Sequence, residues 1–202
     1  MVAKIGKEPL AALRLTLVLG VMCLIYAFVI TGIAQVIFHD QANGSLITKN
    51  GQPVGSKLIG QEFTDPKYFF GRPSATNNDA GTKPQPYNAE NSTGSNLAPS
   101  NKALIDRVQK AVAQIRRENG LGPNAPVPVD LVTADFSGFD PDISEASALL
   151  QVNRVASARG LDPVRLRQLV ESQVQGPSFG IFGESHVNVL LLNMALDGGA
   201  AG

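Results

Sequence analysis

The most prominent pattern in the chain is an uncharged, largely apolar run from Leu15 to Phe38. As a helix it would rise by roughly 36 Å, enough to cross a hydrocarbon core of about 30 Å with some tilt. A cleaved signal peptide is the alternative, but its apolar region is usually shorter, about 7–15 residues. Residues 32–35 (GIAQ) also match a small-x-small cleavage site only loosely. The pattern therefore predicts one retained transmembrane helix.

Beyond this run, hydrophobic and polar positions alternate in short segments that indicate both strands and helices. Asn50-Gly51 between residues 45–49 and 52–56 is typical of a β-hairpin, since both turn residues must adopt positive φ. A stripe at spacings of three and four predicts a helix from a Ser100 cap to Asn119, with Gly120 ending it.

Three further elements are predicted from caps and periodicity. Ser144 and Gly160 bracket a second helix, and Asp162-Pro163 begins a third. Residues 130–134 suggest a short strand, whereas residues 187–192 suit either a strand or the start of a helix. The predicted fold class is α+β.

Residues 76–99 are rich in Asn, Gly, Ser, Thr and Pro, a composition of turns and loops. A loop of this length is unusual in a compact domain, so we expect it either to move or to be held by a partner.

The charges that flank the apolar run predict its orientation. Lys4, Lys7 and Arg14 precede or enter it, and the first basic residue after it is Lys49. Basic residues favour the cytoplasmic side. We therefore expect a cytoplasmic N-terminus (1–14), a transmembrane helix (15–38) and an extracytoplasmic α+β domain (39–202), which in a bacterium means the plasma membrane and its outer side.

Composition excludes some functions of the outer part. Without the N-terminal charges it has a slight acidic excess and shows no basic patch, which argues against nucleic acid as a partner. Cys23 is the only cysteine and lies within the span, so no disulfide braces the outer domain.

Motifs for catalysis are missing from the sequence. It contains no phosphate-binding loop, no dinucleotide fingerprint and no nucleophile elbow. His39 and His186 are isolated, without a partner at metal-ligand spacing. Asp140, Asp142 and Glu145 resemble a calcium loop superficially, but they suit a helix N-terminus better, since Glu145 stands where that loop requires glycine. We expect no catalytic residue, no metal site and no cofactor bound by recognisable residues.

The apolar run itself carries a candidate docking surface. Its small side chains recur at intervals of three and four and share one helical face: Gly20, Cys23, Ala27, Thr31 and Ala34. Such a face lets another helix approach closely in lipid, although small residues are also common in membrane helices generally. We refer to these five residues as the small-residue stripe.

Several segments of the outer part resemble a known family. They are residues 55–63 (GSKLIGQEF), 66–75 (PKYFFGRPSA), 94–101 (GSNLAPSN), 127–134 (VPVDLVTA), 137–144 (SGFDPDIS), 151–159 and 187–197. In this order they resemble the small C subunit of the bacterial Kdp potassium-transporting P-type ATPase. The resemblance covers essentially the whole chain, with departures at Ala98, Asp135, Phe136, Glu145 and Gln173.

The resemblance implies a non-catalytic accessory subunit of an ATP-driven potassium uptake complex. The implied partners are a potassium-selective channel-like subunit and a P-type ATPase subunit, and a very small single-span subunit is a further candidate. It also implies a catalytic chaperone that raises the affinity of the ATPase subunit for nucleotide, so ATP association is expected by family alone. Two alternatives stay open at this point: a membrane-anchored extracytoplasmic enzyme and a free-standing binding module.

Overall fold

A computed structural model describes residues 8–78 and 80–199, and the chain divides into two compact units, Met1–Leu46 and Ile47–Gly202. The first unit holds α1 (Glu8–Ile37) and the four-residue α2 (His39–Ala42). Helix α1 has 30 residues, none of them buried within the protein. Among the described residues it is the one helix long and apolar enough to cross a membrane. The basic residues Lys4 and Lys7 lie outside the described residues.

The second unit mixes helices with small sheets, which confirms the α+β fold class. Its elements are β1 (Leu46–Lys49), β2 (Gln52–Ser56), α3 (Lys102–Glu118), β3 (Asp142–Ser144), α4 (Glu145–Arg159), α5 (Pro163–Ser172), β4 (His186–Asn188) and α6 (Val189–Asp197). Strands β1 and β2 form one two-stranded sheet, and β3 and β4 form another. The second pair is antiparallel, with Ile143 opposite Val187.

The predicted hairpin is confirmed. Strands β1 and β2 are joined by Asn50 and Gly51, which adopt φ of 53° and 76°. Positive φ at both central residues matches the twist of the flanking strands, which is why Asn-Gly suits this connection.

Most of the predicted helix ends are also confirmed. The Ser144 side chain accepts a hydrogen bond from Ser147 N at 3.1 Å, and Gly160 ends α4 in the left-handed region. Asp162 caps α5, with Pro163 in its first turn. The cap of α3 was predicted one residue too early, because Asn101 accepts from Ala103 N at 2.8 Å and the helix begins at Lys102.

The predicted strand over residues 130–134 is wrong. Residues Val129–Leu131 form a 3₁₀ turn that follows Pro128, and Leu131 is buried. Residues 187–192 adopt both of the predicted conformations in succession. Asn188 ends β4 and its side chain accepts from Leu191 N at 3.1 Å, which caps α6.

The core lies where α4, α5 and α6 pack with the β3–β4 sheet. Its buried members are Phe69, Ile143, Ala148, Val152, Val155, Ala156, Leu166, Leu169, Val170, Val187, Val189, Leu192 and Leu196. A smaller cluster of Ile115, Leu131 and Val132 lies under α3. Burial of this apolar surface is the main favourable contribution to folding.

The loop at residues 76–99 forms no helix or strand among its described residues, but it bonds to its own domain. Thr76 is almost completely buried, and its hydroxyl donates to Gln85 O at 2.6 Å and accepts from Asn88 N at 3.1 Å. Thr93 N donates to Ser137 O at 3.1 Å. The Thr76 bonds close the loop on itself and the Thr93 bond joins it to the turn over residues 135–138, an arrangement that the composition did not indicate.

Candidate functional site

Two buried amide side chains position the segment that carries the site, residues 66–75, which we name the clamped segment. Asn193 of α6 accepts from Phe69 N at 2.9 Å and donates to Phe69 O at 3.0 Å. Gln151 of α4 accepts from Phe70 N at 2.8 Å and donates to Phe70 O at 3.1 Å. Each amide bonds to both the N–H and the C=O of one residue. A neighbouring strand would bond these backbone groups in a β-sheet, and here side chains of α4 and α6 take its place.

A guanidinium group secures the start of the clamped segment. Arg154 donates to Pro66 O at 2.6 Å and to Tyr68 O at 3.0 Å, and its Cζ lies 3.9 Å from the centroid of the Phe70 ring. Burial lowers the pKa of Arg154 to about 10, although Glu118 acts in the opposite direction. The group is still protonated at neutral pH, and its charge is shared among backbone oxygens and an aromatic face.

The centre of the site is an ion pair at the far end of the clamped segment. Arg72 Nη1 lies 3.0 Å from Asp140 Oδ2, with both side chains only about a quarter exposed (24% and 27%). The Tyr87 hydroxyl donates to Arg72 O at 2.7 Å. Burial raises the pKa of Tyr87, and Asp135 and Asp140 add to the effect, so the phenol stays a neutral donor. A Cβ at Gly71 would lie 2.5 Å from the Tyr87 hydroxyl, so this close approach requires glycine.

Arg72 lines two cavities. One, of about 380 Å³, is also bounded by Phe70, Tyr87, Glu62 and Gln114. The other, of about 510 Å³, is strongly acidic, and its charged or titratable lining consists of Arg72, Asp130, Asp140, Asp142, Glu184 and His186. Arg72 therefore contributes to the walls of both cavities, whereas Asp140 lines the acidic one.

The acidic cavity contains a carboxylate–imidazole contact. His186 Nε2 lies 3.8 Å from Asp142 Oδ2, where β4 pairs with β3. Burial raises the pKa of Asp142, whereas the nearby His186 acts to lower it. Ionisation of Asp142 is therefore less favourable in the folded protein than in the unfolded chain.

This shift predicts a pH dependence of stability. A raised pKa means that above pH 3.8 the folded state binds more protons than the unfolded state. The free energy of unfolding therefore falls as pH rises from that value through the folded-state pKa of Asp142. Asp142→Asn removes this cost, and its Tm relative to wild type should become more positive from pH 4 to pH 7. Thermal unfolding of the full chain in detergent measures the difference. Glu90→Gln, at an exposed carboxyl, is the control, and parallel behaviour of the two variants would contradict the assignment.

The predicted stripe residues all lie on α1. Gly20, Cys23, Ala27 and Thr31 are exposed and Ala34 is half-exposed. The Thr31 hydroxyl donates to Ala27 O at 2.8 Å, so this polar group is satisfied within its own helix. The docking role of the stripe stays a prediction.

The carboxylates considered for a calcium loop are used separately. Asp140 pairs with Arg72 and Asp142 faces His186, while Ser144 caps α4. Across residues 8–78 and 80–199, no three His, Cys, Asp or Glu side chains are grouped as a metal site. His186 nevertheless has a charged neighbour, because the Asp142 carboxylate lies 3.8 Å from its Nε2.

Asp135 and Arg154 bond to different segments. Asp135 accepts from Gly138 N at 2.9 Å and from the Ser137 backbone and hydroxyl, which closes the turn over residues 135–138. Arg154 instead bonds to the clamped segment.

Sequence reasoning missed the side chains that position the site. Asp130 supports the Ser144 cap of α4, with its carboxylate accepting from Ser144 N at 2.7 Å and from the Ser147 hydroxyl at 2.6 Å. Gln151 and Asn193 are almost completely buried. The only available signal was their polarity between apolar residues in the segments that form α4 and α6, because a polar side chain buried there must bond to a distant partner.

A long apolar helix, followed by a small α+β unit whose buried polar groups bond to its own backbone, defines a membrane-anchored α+β protein. Comparison with known proteins identifies which one. The family model for KdpC, described as "K+-transporting ATPase, c chain", matches residues 9–198. The chain therefore belongs to the KdpC family and is a subunit of a potassium-transporting ATPase complex.

Individual relatives agree over nearly the full length. The chain is 54% identical over 202 residues to the "Potassium-transporting ATPase KdpC subunit" of Rhodopseudomonas palustris (strain BisB18), with 98% of each chain covered. Identity is 53% over 201 residues to the subunit of the same name from Bradyrhizobium diazoefficiens, with 96% of this chain and 98% of the relative covered. The resemblance stated from the sequence segments is confirmed.

Proposed function

We propose that this chain is a non-catalytic accessory subunit that stabilises the assembly of an ATP-driven potassium uptake complex. The observation that carries the proposal is the match to a subunit family over nearly the whole chain. Supporting it, the Asn193, Gln151 and Tyr87 side chains bond to the protein's own backbone, and Arg72 pairs with Asp140. These bonds hold the clamped segment in one conformation, as a structural role requires.

In the proposed topology, residues 1–14 are cytoplasmic, 15–38 span the membrane, and 39–202 form the extracytoplasmic domain. The basic residues Lys4, Lys7 and Arg14 support this orientation, because the cytoplasmic side of a span is enriched in Lys and Arg. A reporter fused to the C-terminus should be active only outside the cytoplasm. Activity confined to the cytoplasm would overturn the orientation.

The proposed partners are a potassium-selective channel-like subunit and a P-type ATPase subunit, with a very small single-span subunit as a further candidate. In this arrangement the outer domain covers the outer mouth of the channel-like subunit. An outer domain cannot contact ATP in the cytoplasm, so a chaperone effect on nucleotide affinity would be transmitted through the membrane as a coupling free energy. Affinity purification of the full chain in detergent, with identification of the associated chains, tests the partners. Recovery without any other transport subunit would overturn the proposal.

The stripe on α1 predicts how the anchor docks. Ala27→Leu adds bulk to the face through which a partner helix would approach, and we expect recovery of partner subunits to fall on the order of tenfold, since close packing is a main force between helices in lipid. Gly32→Leu is the control, because Gly32 lies about 140° around the helix from Ala27. Equal recovery with both variants would exclude the stripe as the docking face.

A further inference from the structure

The connection between α5 and β4 ends in an ordered apolar tip. Its base is a backbone bridge in which Gln175 N donates to His186 O at 2.8 Å and His186 N donates to Gln175 O at 2.9 Å. Nearer the end, Ser178 and Phe182 bond to each other through N–H to O contacts of 2.8 and 3.0 Å. We name residues 177–183 the hairpin tip. Its backbone is held by its own hydrogen bonds.

The tip presents large apolar side chains to solvent. Phe179 is 94% exposed, Ile181 78% and Phe182 68%, all within four consecutive residues. No residue from 174 to 183 carries a charge. Single exposed apolar residues are ordinary on protein surfaces, whereas a contiguous group of this kind marks an interaction site.

Backbone conformation adds a second, independent observation. Phe179 adopts φ of 55°, in the left-handed region, where a bulky side chain is strained and glycine is not. Strain of this kind is concentrated at functional segments. The side chain is also exposed, so this strain is not offset by burial in the core. Contact with a partner would supply the missing burial.

The charge beside the tip indicates the chemistry of the partner. Glu184 follows the tip directly and lines the acidic cavity of about 510 Å³ together with Asp142 and His186. Asp140 in that cavity is already paired with Arg72, which leaves the surface near the tip acidic. Membrane-surface binding is strengthened by Lys and Arg beside the apolar residues, and here carboxylates occupy that place. A protein surface with basic side chains fits this arrangement better.

We propose that the hairpin tip inserts into an apolar recess, rimmed by Lys or Arg, on another subunit of the potassium-transporting ATPase complex. This inference rests on the proposed function and names the surface through which the second unit contacts its partner. Phe179, Ile181 and Phe182 supply the apolar contact, and Glu184 supplies charge complementarity with the rim.

Crosslinking in the assembled complex tests the contact directly. The full chain is produced with a photo-reactive benzoylphenylalanine in place of Phe179, and in a matched control in place of Phe136, which is 91% exposed on a different loop. The expected result is an adduct between position 179 and another subunit, at much higher yield than from position 136. Adducts only with phospholipid, only with a second copy of this chain, or at equal yield from both positions would overturn the inference.

Substitution separates docking from a purely structural role. Phe179→Gly removes both the aromatic ring and the strain, so the Tm of the full chain in detergent should stay equal or rise. Recovery of partner subunits should nevertheless fall on the order of tenfold, as for loss of an interface anchor. A falling Tm with recovery unchanged would overturn the inference.

Two further variants extend the test. Phe182→Ser should lower recovery in the same way, and Glu184→Lys should lower it while Glu90→Lys, at another exposed acidic position, does not. If Phe179→Gly and Phe182→Ser recover partner subunits as well as the wild-type chain does, this inference fails while the proposed function stands. If the wild-type chain recovers no transport subunit, the proposed function fails and the inference fails with it.

Discussion

Replacing Asn193 with leucine is expected to lower the free energy of unfolding by about 2–5 kcal/mol, because two buried backbone groups lose their partner. Asn193 is 2% exposed and bonds to both the N–H and the C=O of Phe69, whose side chain is fully buried. Leucine has the same branching at Cγ, is somewhat larger and has a higher helix propensity, so neither a cavity nor a weaker α6 accounts for the loss. Thermal unfolding of the full chain in detergent should show a Tm lowered by roughly 5–15 °C.

The control is Asn124→Leu, at an exposed position in the turn after α3. A surface substitution of this kind should change stability by no more than about 0.5 kcal/mol. If the two variants unfold at the same temperature, the amide of Asn193 does not clamp the segment. Loss of this clamp should also displace Arg72, since Phe69 and Phe70 directly precede Gly71 and Arg72 in the clamped segment.

Gly138→Ala is expected to lower the free energy of unfolding by about 2–4 kcal/mol, through backbone strain and overlap together. Gly138 adopts φ of 81°, and a Cβ there would lie 2.7 Å from Thr93 O and would overlap the Thr76 methyl group. Both neighbours belong to the loop at residues 76–99. We therefore expect the variant to release this loop as well, which limited proteolysis would detect as faster cleavage between residues 76 and 99.

Gly122→Ala provides the matched control. A Cβ at Gly122 would meet nothing within 4 Å, and its φ lies outside the left-handed region. This variant should unfold and be cleaved like the wild type, since Gly→Ala at a permissive position is neutral or slightly stabilising. Unchanged cleavage in Gly138→Ala would show that the loop is held by other contacts.

The predictions that were correct concern local chemistry. The Asn-Gly turn, the Ser144 cap and the Gly160 stop depend on dihedral preferences and on hydrogen bonds within a few residues. Neighbouring residues in the sequence determine both. The wrong strand at residues 130–134 shows the limit of the same approach. β-Branched residues there indicated a strand, but Pro128 and burial of Leu131 favoured a 3₁₀ turn.

The candidate site was predicted only in part. The segment containing Arg72 was recognised by its resemblance to a family, while the pairing of Arg72 with Asp140 was not predicted. The hairpin tip gave no sequence signal of function, because a Phe-Gly-Ile-Phe segment suits a buried strand as well as an exposed turn. Exposure and positive φ at Phe179 became known only from the folded chain.

By itself the sequence determined the membrane-length helix, the Asn-Gly hairpin, helices α3 to α5 and membership of a family, because hydrophobic period, caps and motif order are properties of the chain in one dimension. Tertiary structure alone decided which polar groups from distant parts of the chain bond to each other. Asn193 and Phe69 are 124 residues apart, and Gln151 and Phe70 are 81 apart. Such pairs form only when packing brings distant elements together, since a buried amide must bond to whichever backbone the core places beside it.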